Sequence, residues 1–85
     1  MRQSRATTQD GSEIRRDIGT LWTLSRGESM ARCALLALGV GLELRVLLDG
    51  DVLKAERCGK YEEAFDLAER WRGRMLDRGW LSVRR

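Results

Sequence analysis

At 85 residues the chain is long enough for one small domain and too short for two. Hydrophobic residues make up 42% and charged residues 34%, a globular composition, and the lack of His and Pro removes imidazole chemistry, His metal ligands and proline-based recognition. The net charge of +3 invites nucleic acid, but residues 1–16 alone carry four Arg against Asp10 and Glu13, so the rest of the chain is close to neutral.

Met1 to Ser12 hold almost nothing that a core could bury, and residues 1–16 are read as a disordered arm. Polar residues follow the basic start, where a signal peptide would need an apolar run. The longest apolar stretch, Ala34 to Leu42, is also far below the ~20 residues needed to cross a bilayer, so no membrane segment is expected. With Cys33 and Cys58 too few for a zinc site or a secreted disulfide scaffold, the expected compartment is a reducing cytoplasm.

From Leu21 short apolar runs alternate with turn residues, the pattern of an antiparallel meander. Leu21 to Leu24 is the first expected strand, and Arg26-Gly27-Glu28-Ser29 a turn. Met30 to Leu38 reads as the second strand, with a helix over Ser29 to Leu38 as the alternative, because Ala, Leu and Met suit both.

Leu42, Leu44, Val46 and Leu48 alternate with Glu43, Arg45 and Leu47 in the clearest strand, and Val52 to Arg57 is its hairpin partner. An Asp49-Gly50 turn would set Arg45 against Lys54 and Glu43 against Glu56; a Gly50-Asp51 turn would set Arg45 against Glu56 and is preferred on charge.

Tyr61 to Arg78 reads as a helix, its stripe formed by Tyr61, Ala64, Phe65, Ala68, Trp71 and Met75. Acidic residues open it and Arg70, Arg72, Arg74 and Arg78 follow, in the order the helix dipole favours. Asp66 and Arg70 are spaced to pair, Gly79 suits the closing left-handed residue, and Trp80 can fold back onto the last turn. Gly73 is a mid-helix cost that a closely approaching strand or chain would explain.

The fold class is therefore α+β: an antiparallel meander of three to four strands followed by one C-terminal helix on one sheet face. The domain spans 17–81, with 82–85 as a tail. No nucleophile with a base, paired carboxylates or metal cluster is legible, so the protein is read as non-enzymatic, with no cofactor. The helix covers one face, and Leu36, Leu47 and Val52 are candidates for an apolar second face that a partner would cover, with the second strand adding either Leu36 and Met30 or Leu35 and Cys33 to it. That partner is a second copy or another protein. The alternative is a nucleic-acid binder using the Arg-bearing arm and the helix end, with Arg70, Arg74 and Arg78 as phosphate contacts.

Gly41-Leu42-Glu43-Leu44-Arg45, the Asp49-Gly50 turn, Glu63-Ala64 and the closing Arg78-Gly79-Trp80 resemble a group of short bacterial proteins with a strand, hairpin, helix and terminal Gly-Trp, to which no function attaches. The resemblance covers about residues 20–81. The strands-then-helix order is also similar to the three-stranded DNA-binding domains of plant GCC-box factors and phage integrase arms, with Glu43-Leu44-Arg45 echoing a strand motif there. Leu47 and Val52 stand where those readers carry basic and aromatic residues.

Overall fold

The structure is a computed structural model and describes residues 15–83. The arm expected over 1–16 lies outside the described residues except for Arg15 and Arg16, as do residues 84 and 85 of the expected tail. Four long strands follow in order: β1 (Arg15–Arg26), β2 (Ser29–Leu38), β3 (Gly41–Leu48) and β4 (Asp51–Cys58). Helix α1 (Tyr61–Asp77) and a two-residue strand β5 (Leu81–Ser82) complete the chain. The sheet is antiparallel in the order β4-β3-β2-β1-β5, with α1 packed on one face, so the fold is α+β as its sequence pattern indicates.

Residues 29–38 form a strand and not the alternative helix. Three turns set the meander. Gly27 and Gly39 take positive φ values of 60° and 54° at the first position of their two-residue turns, and Asp49 and Gly50 are both positive at 51° and 94°. The last pair is a type I′ arrangement, whose twist matches that of the flanking strands.

The hairpin between β3 and β4 follows neither expected register. Asp49-Gly50 makes the turn, with Leu48 opposite Asp51 and Leu47 opposite Val52. A bulge at Leu53 then moves the pairing by one residue, so that Arg45 faces Ala55 and Glu43 faces Arg57. The favoured turn is kept while both like-charge pairs are avoided, and one pair of opposite charge is gained. The shift also turns Lys54 and Glu56 onto the face that carries the helix, opposite Val46 and Leu44.

β1 begins earlier than the expected Leu21 and runs for 12 residues. Its pairing with β2 slips between Asp17 and Gly19 and again between Thr20 and Trp22. Each slip interrupts the two-residue alternation by which a strand is recognised. β5, which pairs Leu81 and Ser82 with Ser25 and Leu24, is too short to leave such a pattern.

The core lies between the sheet and α1. Trp22, Leu24, Cys33, Leu35, Leu44 and Val46 face Ala64, Ala68 and Trp71 of the helix. Full burial of aliphatic side chains such as Leu24, Leu35 and Leu44 stabilises by about 1.5–3 kcal/mol each. The Trp22 indole Nε1–H donates to the Ala68 carbonyl at 2.9 Å, which satisfies the one polar atom of a buried ring and fixes the helix over β1. Tyr61 and Phe65, expected in the apolar stripe, are exposed and form a tilted aromatic pair with centroids 6.2 Å apart. The buried stripe is centred on Ala64, Ala68 and Trp71, with Leu67 and Met75 beside it, because small alanines let the helix backbone come close to the sheet.

Candidate functional site

A cleft of about 260 Å³ lies between the C-terminal half of α1 and the hairpin ends of the strands. Its apolar lining is Val46 from β3, Leu53 from β4, Trp71 and Met75 from α1, and Trp80 just beyond the helix. Its remaining lining is cationic: Arg26 at the end of β1, Lys54 on β4, and Arg74 and Arg78. Among the described residues no carboxylate lines the cleft.

Local structure explains how each group arrives. The Leu53 bulge places Leu53 and Lys54 together on the cleft side of β4, which regular alternation would not do. Gly79 takes φ 97° and closes the helix: its N–H donates to the Leu76 carbonyl at 3.1 Å and the Trp80 N–H to the Met75 carbonyl at 3.1 Å. This is the paired hydrogen-bond pattern of a Schellman cap, and it carries Trp80 back over Met75. The expectation that Trp80 folds onto the last turn is met.

The electrostatics of the cleft are one-sided. Among the described residues none of its four cations has a carboxylate within 4 Å; the ion pairs there are Arg45 with Glu43 and Arg72 with Glu69. Arg74 and Arg78 are balanced in part by the negative end of the α1 dipole. Lys54 places its ammonium 4.6 Å from the centre of the Trp71 ring, a cation–π contact. Among the described residues Arg26 has no such compensation from a helix end or an aromatic face. Four like charges around one apolar hollow repel each other, and an entering anion relieves that repulsion.

The structure separates the sequence candidates. Arg74 and Arg78 line the cleft, whereas Arg70 is exposed elsewhere on the helix and does not. The expected Asp66–Arg70 pair is not among the ion pairs of the described residues; Glu69 and Arg72 pair instead, at 3.6 Å. Leu36, Leu47 and Val52 do share the sheet face away from the helix, as their register positions require. They differ in access. Leu36, on the central strand between Asp17 and Glu43, is only 9% exposed, Leu47 is half-buried and Val52 is 53% exposed.

This second face is less apolar than expected. Between Leu36 and Leu47 lie Glu43 and Arg45, paired at 3.4 Å, which leaves a small patch of exposed Met30 and Val52 beside half-buried Leu47 at the hairpin end. Arg26 and Lys54 are not legible from sequence as site residues, because they lie on different strands and Lys54 is turned to the helix only by the bulge.

Cys33 and Cys58 are both buried and free. Burial, with Glu69 nearby, pushes the Cys33 thiol up to about 12, and burial with Glu56 and Glu63 pushes Cys58 up as well. Neither is set up as a nucleophile. Among the described residues no group of three or more His, Cys, Asp or Glu could hold a metal, and no helix is long and apolar enough to cross a membrane. No protein-family model, curated protein or solved structure matches the chain.

Proposed function

We propose that this chain is a non-enzymatic binding module that takes an anionic ligand, nucleic acid, at the cationic and aromatic cleft. One observation carries the reading: Arg26, Lys54, Arg74 and Arg78 converge on an apolar hollow with two indoles and no carboxylate among its described lining residues. Phosphodiesters are polyanions that Arg and Lys neutralise, and aromatic side chains accept their bases. The overall charge of +3 favours encounter with such a ligand. The two buried free thiols suit a reducing compartment, and we assign the module to the cytoplasm on that ground.

The test is a salt titration of oligonucleotide binding. The logarithm of the binding constant falls linearly with the logarithm of salt, and changing Arg74 and Arg78 together to Gln lowers the slope by about one unit per lost phosphate contact. Binding that ignores salt, or a double variant indistinguishable from the parent, overturns the reading.

A second reading, self-association or capture of another protein, is supported by the exposed Met30 and Val52 beside Leu47. It ranks second because the Glu43–Arg45 pair interrupts the face and Leu36 is buried. Under this reading Leu47→Glu or Val52→Glu leaves a folded monomer and abolishes association in light scattering, since an unpaired charge would be buried at the contact. A parent chain that stays monomeric at high concentration removes it.

A further inference from the structure

We infer that the cleft receives one unstacked base of a single strand, with Trp80 as the stacking surface and the surrounding cations on the flanking phosphates. The inference rests on the proposed nucleic-acid reading and specifies its ligand. A groove that only tracked phosphates would need cations and no apolar or aromatic lining. Here they share the cleft lining with the apolar side chains of Val46, Leu53 and Met75, an environment suited to a planar ring and not to a phosphate.

The two indoles have different roles. Trp71 is 5% exposed and has the Lys54 ammonium over its ring, so it belongs to the core and positions that charge. Trp80 is half-buried and lines the cleft, and the hydrogen bonds of the helix cap fix its backbone, so its place at the cleft is set before any ligand arrives. A duplex keeps its bases stacked inside and is read by an element that enters a groove. A concave site needs a base that is already free, which a single strand supplies at little cost.

The test uses the full chain and a fluorescently labelled oligothymidylate, with anisotropy as the readout. The probe is presented as a single strand, as a duplex with oligoadenylate, and as a strand of abasic sugar-phosphates; thymidine 5′-monophosphate is the competitor. The expected order is single strand tightest, with the duplex and the abasic strand clearly weaker. Trp80→Ala is expected to weaken single-strand binding about 5- to 150-fold, the range for losing one stacked base, while Trp80→Phe retains most of it. If either variant melts early, the intact-against-abasic comparison on the parent protein reads the same interaction without a mutation. Equal binding of single strand, duplex and abasic strand overturns this inference and leaves phosphate binding at the cleft standing. Full competition by the mononucleotide at comparable concentration also overturns it, because the ligand is then a free nucleotide. Absence of salt-dependent binding to all of the polymers overturns the functional reading itself.

Discussion

Asp49 holds one of the sharpest turns in the sheet and ties it to a third strand. It takes the left-handed conformation that the β3–β4 turn requires. Its carboxylate accepts the Met30 N–H at 2.8 Å and its own N–H donates to the Met30 carbonyl at 2.8 Å. Asp49→Ala keeps the backbone donor but loses the carboxylate and places a Cβ residue with no local compensation at positive φ. We expect a loss of about 1–2 kcal/mol in urea denaturation, and near-neutrality for Asp49→Asn, which tolerates that conformation and retains an acceptor. Trp71 lies at the other extreme of burial, and Trp71→Ala is expected to cost roughly 3–5 kcal/mol, a large share of the stability of so small a domain. A cost below about 1 kcal/mol would contradict its place in the core. Cys33 predicts a pH dependence. Its thiol is raised from 9.0 to about 12, so between those values the unfolded chain releases a proton that the folded chain retains. Stability therefore falls as pH rises through that window, and Cys33→Ser or Cys33→Ala should flatten that part of the curve.

Among the elements, α1 and β3 are the most legible in the sequence, and for one reason: each keeps a single period along its length. Leu42, Leu44 and Val46 point to one face by simple alternation, and Ala64, Ala68 and Trp71 to another by helical spacing. β1 is legible only over Leu21 to Leu24, since one bulge at Ile18 and a second at Leu21 break the alternation over the first part of the strand. The β3–β4 register is not legible, because cross-strand charge and turn type favour different regular pairings, whereas a bulge at Leu53 satisfies both. That same bulge hides the site. Lys54 reaches the helix face only through it, and Arg26 meets Arg74 only in the folded sheet, so the helix-borne Arg74 and Arg78 are the only cleft cations that sequence spacing can nominate. Gly73 shows the opposite case. The expected close approach is absent, as nothing lies within 4 Å of the point where a Cβ would stand, so the glycine is a helix cost without a packing return. Gly73→Ala should therefore stabilise α1 by about 0.5–1 kcal/mol and raise the thermal midpoint. A fall in midpoint would point to a contact on that helix face.

At the scale of the whole molecule, a near-neutral domain concentrates at one end of its sheet four cations without an ion-pair partner among the described residues, away from the carboxylates of the helix N-terminus, Glu62 and Glu63. Two of them answer a helix dipole and one an indole, but the convergence of all four on one hollow is what the fold alone does not require. The outer sheet face offers the competing account, and the two surfaces can be perturbed separately, since Lys54 and Arg74 face the helix side and Val52 faces away. The most direct measurement is a salt titration of single-stranded oligothymidylate binding to the parent chain, to a Lys54→Gln, Arg74→Gln double variant and to Val52→Glu. The account predicts steep salt dependence for the parent and Val52→Glu, with weaker binding and a flatter slope for the double variant. Equal affinity and slope in the parent and the double variant, or loss of binding confined to Val52→Glu, would contradict it.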